Sequence, residues 1–214
     1  MTAISPATIE RMKACCIVPV ITIQDVKHAV PLAKALIAGG VDVLEVTLRT
    51  DCALDAIQEM NQAKLDALIG AGTITTEAQV NSAANAGAEF LVTPGTPASL
   101  LPALKAFDGA VFPGCSTVSE SLALRSAGFS VQKFFPAEPA GGSKFLKALG
   151  GPVPDVLFMP TGGISMGNAR QYLDLPNVIA VGGSWIVPKE LIENGEWDVI
   201  ALLAKESREE LQSD

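Results

Sequence analysis

Histidine is nearly absent from this chain: among 214 residues there is one, His28. Mechanisms built on a histidine base beside a serine or cysteine nucleophile lack their central group, and so does a histidine-bearing zinc set. Cysteine is scarce as well. Cys15, Cys16, Cys52 and Cys115 form no C-x-x-C pair, which argues against a zinc motif or a disulfide framework and reads as reduced thiols. Positive charge is in deficit. The net charge of −8 argues against nucleic acid as a partner, since such surfaces need a basic face. A small anionic ligand stays possible, because a few local donors outweigh a global charge. No uncharged apolar run reaches the length of a membrane span, and "MTAISPATIERMKACC" lacks the basic start and apolar stretch of a signal peptide. The expected setting is the cytoplasm, away from membranes.

What is present is apolar: 49% of residues, enough for a real core. Short β-rich runs alternate with helical ones. The β-rich runs are 17–23, 42–48, 66–73, 89–94, 109–114, 130–136, 156–160 and 178–184. Between them lie helical patterns at 25–38, 51–63, 76–86, 97–106, 117–127, 141–149 and 167–173, and terminal helices follow. His28 falls in the first of these patterns, as a surface or partly buried structural residue. Glycine closes most of the helical runs, and the next strand starts directly after it. Near-continuous apolar strands separated by helices specify a parallel sheet covered on both faces. Eight such units in a chain of 214 residues predict one (β/α)8 barrel domain over 1–214, with an extra N-terminal helix from about Pro6 to Ala14. An open doubly wound sheet is the runner-up, but no G-x-G-x-x-G follows the first strand. That absence, together with the missing metal ligands, leaves no cofactor expected.

In such a barrel the chemistry sits at the C-terminal strand ends, and alternate residues point inward. In "LEVTLRT" the charged and hydroxyl residues Glu45, Thr47 and Arg49 share one face, while Val46 and Leu48 share the other. The polar set is therefore expected inside, as a site or as a costly buried Glu45–Arg49 pair. In "SVQKFFPAE" Lys133 shares a face with Val131 and Phe135, opposite Gln132 and Phe134. An inward lysine in a desolvated pocket tends toward the neutral amine, a nucleophile suited to imine formation. The alternative is a lysine held by a carboxylate such as Glu45. Thr73 closes "GAGT" with a hydroxyl. "FPGCST" reads equally as a Pro-Gly turn with a helix cap or as a ligand contact. Cys115 within it reads as a small filler, with no histidine to activate it. "PTGGIS" and "VGGSW" offer backbone N–H groups at Gly162, Gly163, Gly182 and Gly183, and hydroxyls at Ser165 and Ser184. Loops after strands seven and eight are where such barrels cradle phosphate.

An amine, a carboxylate, an arginine able to grip a carboxylate and a phosphate cradle fit a metal-free aldolase acting on a phosphorylated 2-keto acid. "PVITI", "LEVTLRT", "GAGT", "PGCSTVSE", "KFFPAE", "PTGGIS" and "GGSW" closely resemble the 2-keto-3-deoxy-6-phosphogluconate aldolases, many of which also cleave 4-hydroxy-2-oxoglutarate. The resemblance runs over nearly the whole chain. It implies that Lys133 forms the Schiff base and that Glu45 moves the protons. It implies that Arg49, Thr73 and Thr161 hold the pyruvate carboxylate, and that Gly162, Gly163, Gly183 and Ser184 hold phosphate. The products would be pyruvate and glyceraldehyde 3-phosphate, the closing step of the Entner–Doudoroff route, and the assembly a homotrimer. Some relatives carry a basic residue at the start of strand one; Ile17 stands there in this chain. Three rivals share part of the pattern. They are a sugar-phosphate epimerase or isomerase, a pyruvate aldolase for unphosphorylated sugar acids, and a non-catalytic 2-keto acid or phosphosugar binder.

Overall fold

The computed structural model describes residues 4–213. Helix α1 (Pro6–Cys15) leads into β1 (Ile17–Ile21), a 3-10 turn (Val26–His28) and α2 (Ala29–Ala38). Then follow β2 (Val43–Thr47), α3 (Ala53–Gln62), β3 (Leu68–Gly72), α4 (Glu77–Asn85), β4 (Phe90–Val92) and α5 (Leu101–Ala106). Next come β5 (Ala110–Phe112), β6 (Gly114–Cys115), α6 (Val118–Ser126), β7 (Val131–Phe134) and α7 (Gly142–Leu149). The chain ends with β8 (Leu157–Pro160), α8 (Met166–Leu173), β9 (Val181–Gly183), α9 (Lys189–Asn194) and α10 (Trp197–Gln212).

All the strand pairings are parallel. One sheet runs in the order β5-β4-β3-β2-β1-β9 and a second in the order β6-β7-β8. The architecture is an α/β fold with a curled parallel sheet. The curl is visible in the side chains: Glu45 of β2 and Lys133 of β7 belong to different sheets, yet their charged atoms lie 3.3 Å apart. Buried apolar residues from Met12 to Leu211 form one continuous cluster.

Where the fifth β-rich run is expected as one strand, the structure has two. Pro113 has no N–H to give to a ladder, and the run changes partners there, β5 pairing with β4 and β6 with β7. The Pro-Gly turn suggested by "FPGCST" is therefore not formed. The helix cap beside it is: Thr117 accepts from the Glu120 N–H, and Glu120 accepts from Thr117 N–H in return. The strands are also shorter than the apolar runs, because those runs continue into connections that pack on the core. The start of the 25–38 pattern is a 3-10 turn, and His28 caps α2 half-buried, edge-on to Trp197 at 5.7 Å between ring centroids.

Helix α1 lies across the N-terminal strand ends. Arg11 donates to the Asp42 carboxylate at 2.8 Å, just ahead of β2, and to the Asp66 backbone oxygen at 2.9 Å, just ahead of β3. The opposite end of the sheet stays free for a site.

Candidate active site

Strands β2 and β7 each separate polar groups by face. On β7, Gln132 points outward and is fully buried under α6. Its amide donates to the carbonyls of Ser121 and Phe129, both at 3.0 Å, and its oxygen accepts from the Cys115 thiol at 3.4 Å. Phe134, also outward, stacks on Phe145 of α7 at 5.0 Å. Lys133 points the other way, into the hollow, with its Nζ 5.3 Å from the centroid of the Phe135 ring. Its backbone is pinned by the N–H donated to Pro113 O at 2.9 Å, so the proline that splits the strand also fixes the lysine.

Glu45 occupies the same hollow from β2. Its register partner on β3 is Gly70, and Thr47 pairs with Gly72. A Cβ at Gly72 would sit 2.1 Å from Glu45 Oε1, so this glycine clears the space for the carboxylate. The side chain of Lys133 is 4% exposed and that of Glu45 0%. Burying such a pair costs several kcal/mol per ion before its attraction is counted, and the pair is weak as a source of stability. The geometry keeps one carboxylate atom in reserve: Glu45 Oε2 is buried with no hydrogen-bond partner. The buried Glu45–Arg49 pair weighed from the alternation is not formed, since the glutamate's partner is Lys133.

Thr161 follows β8. Lys133 pairs with Met159, so Thr161, two residues on, shares the inward face. It is buried, and its Oγ1 has no partner. The neighbouring position on β9 is Gly182, where a Cβ would fall 2.1 Å from that oxygen. Thr73 sits directly after β3 with φ 64°, a strained backbone conformation for a β-branched residue of the kind concentrated at functional sites. The inward alternation of Arg49 does not hold. Strand β2 ends at Thr47, the Arg49 N–H folds back to Thr47 O at 2.8 Å, and the side chain is exposed. It forms no ion pair among the described residues. Arg49 lies instead at the rim, in a cleft of ≈ 410 Å³ shared with Val20, Thr22, Ser184, Val187 and Lys189.

The two glycine loops are built differently. Gly162 and Gly163 take φ of 103° and 79°, open only to glycine without strain. Ser165 caps α8 through its backbone, its N–H donating to Asn168 Oδ1 at 2.8 Å. Gly183 is buried at the end of β9, and Ser184 is exposed beside it. A larger cleft of ≈ 720 Å³ lies outside, along α7 and α8, with Lys144, Lys147 and Asp174 on its walls. Neither Lys133 nor Glu45 lines it, so size alone does not locate the chemistry. Burial pushes the Cys115 thiol up to about 12, which suits a packing role. Thr47 is spent internally, donating to Ile21 O at 2.8 Å. The sequence reading misses two residues. Phe135 is signalled by its place two after Lys133, while nothing local marks Lys189 in the rim cleft.

A curled parallel sheet with an amine and a carboxylate meeting in its hollow is the layout of a carbon–carbon lyase working through a lysine imine. The model of the KDPG and KHG aldolase family matches residues 8–203, and the chain belongs to that family. It is 52% identical over 191 residues, 89% of each chain, to a 2-dehydro-3-deoxy-phosphogluconate aldolase of Pseudoalteromonas atlantica. It is 48% identical over 193 residues to the KHG/KDPG aldolase of Escherichia coli, covering 90% of this chain and 91% of that one. A crystal structure of KDPG aldolase from Legionella pneumophila, with pyruvate captured as a covalent carbinolamine, superposes with a TM-score of 0.90 at 45% identity. That match covers 92% of this chain and 96% of the other.

Proposed function

We propose that this chain is a class I aldolase cleaving 2-keto-3-deoxy-6-phosphogluconate to pyruvate and glyceraldehyde 3-phosphate, and 4-hydroxy-2-oxoglutarate to pyruvate and glyoxylate. The observation that carries the reading is the 3.3 Å Lys133–Glu45 contact in a buried hollow. Passing the proton from Nζ to the carboxylate leaves a neutral amine. The amine adds to the C2 ketone, and the protonated Glu45 gives its proton to the departing hydroxyl, so that the carbinolamine loses water to a protonated imine and Glu45 is a carboxylate again. Glu45 takes the C4 hydroxyl proton; the C3–C4 bond breaks and its electron pair flows into the imine. The aldehyde leaves and an enamine remains. Glu45 returns the proton to C3, and water releases pyruvate and frees the lysine. One carboxylate serves both proton steps, and the unpartnered Oε2 is the atom on hand for them.

Thr73, Arg49 and the unpartnered Thr161 hydroxyl are assigned to the substrate carboxylate. Gly162, Gly163, Gly183 and Ser184 are assigned to the phosphate, at the C-terminal end of the sheet. The same reading takes residues 1–214 as one domain, a closed (β/α)8 barrel with α1 over its base. Two contacts support closure. Thr161 bridges Gly182 between the two sheets, and the chain passes from β5 to β6 through Pro113 alone. The reading extends to a homotrimer in the cytoplasm. Among the described residues no helix is long and apolar enough to cross a membrane.

The test is pyruvate with borohydride, followed by peptide mass mapping. A reduced adduct on Lys133 is expected in the native chain and none in Lys133→Ala, which also loses cleavage. A folded protein that gives no adduct at saturating pyruvate overturns the assignment.

A further inference from the structure

We propose that Lys189 is a specificity-determining residue whose ammonium meets the dianionic end of a phosphorylated substrate at the rim. The inference rests on the reading of the 183–184 loop as a phosphate site. That loop by itself offers only neutral donors, backbone N–H and the Ser184 hydroxyl. A phosphate carries between one and two negative charges at neutral pH, and this protein carries a net −8, so neutral donors alone leave most of that charge uncompensated.

The rim cleft supplies the remainder. Of the two cations in its lining, Arg49 is assigned to the substrate carboxylate, which leaves Lys189 for the phosphate, and no carboxylate lines the cleft itself. The fold brings Lys189 there through a short turn. Val187 N–H donates to Ser184 O at 3.1 Å, Pro188 sets the entry to α9, and Lys189 is the first helical residue. The turn brings the lysine to the same cleft as the serine five positions before it. Ile17 makes no contribution, being fully buried in β1. The resting partner of Lys189 is Glu193 at 3.5 Å, with both side chains well exposed. Such a pair holds weakly, and a flexible four-carbon stem lets the ammonium turn into the cleft at little cost.

The experiment compares kcat/KM for the 6-phosphorylated substrate with that for 4-hydroxy-2-oxoglutarate, in the native chain and in Lys189→Gln, Lys189→Arg and Lys205→Gln. Lys205 is an equally exposed lysine in an i,i+4 pair with Glu209, away from the cleft, and controls for overall charge. The ratio is expected to fall about fivefold in Lys189→Gln, carried by KM, as for the loss of one screened charge contact. Lys189→Arg is expected to restore it, and Lys205→Gln to leave it in place. A native ratio favouring phosphate that Lys189→Gln does not change overturns the role of Lys189 alone. A native chain with no preference for phosphate overturns the phosphate site as well.

Discussion

Gln132 and Lys133 are neighbours on one strand, both buried and both polar, and they are treated in opposite ways. Gln132, facing the helices, has both ends of its amide engaged. Lys133, facing the hollow, has one carboxylate and an aromatic ring, and the groups around it are underused: Glu45 Oε2 and Thr161 Oγ1 have no partner. An unpartnered buried polar atom costs about 1–3 kcal/mol, and two of them lie together in the hollow, whereas Ser121 Oγ and His28 Nδ1 are without partners singly elsewhere. On this strand the outward polar side chain is saturated, and the inward one faces groups that are not.

The sharpest way to break that contrast is Glu45→Gln. The amide keeps a hydrogen bond to Lys133 but cannot shuttle a proton as a carboxylate does. The adduct with pyruvate should still form, though more slowly, because Nζ then loses its proton to solvent, while turnover falls by about 10²–10⁴-fold; steady-state cleavage kinetics read this directly. Full activity in that variant would place the proton steps elsewhere.

On the outer face, Gln132→Ala removes partners from the carbonyls of Ser121 and Phe129. Chemical denaturation should show a loss of about 1–3 kcal/mol, with the Lys133 adduct still formed. If Gln132→Ala instead abolished the adduct at unchanged stability, the division between the two faces would fail.

The smallest effect is expected at the surface cap of α6. The Ser116 backbone N–H, first among several donors, holds the Glu120 carboxyl below its ordinary value. A depressed carboxyl stabilises the fold above the unfolded pKa of about 4.3, and that contribution is lost as pH falls through the lower folded value. Native protein should exceed Glu120→Gln by about 0.5 kcal/mol near neutral pH, a figure already reduced for solvent exposure. The gap should close in acid, and melting curves across pH would show whether it does.

The alternation of side chains made the β-sheet and its facing legible. Glu45 and Lys133 read as inward, and Gln132 as outward, from period two alone. What sequence could not give was set by where strands stop. Arg49 continues the inward alternation on paper, but β2 ends at Thr47 and the chain folds back. The split at Pro113 was likewise hidden inside one apolar run, because nothing in that run says which neighbour each half will pair with. Lys189 became visible only through a turn that puts it in one cleft with Ser184.

Strand β1 hydrogen-bonds to β9, which is synthesised long after it. Glu45, too, must wait for a partner that lies 88 positions downstream. A chain interrupted anywhere before β9 has a sheet with an open flank, and one interrupted before β7 has Glu45 without Lys133. Assembly of the Lys133–Glu45 pair is thus tied to synthesis through β7, and closing the β1 flank to synthesis through β9.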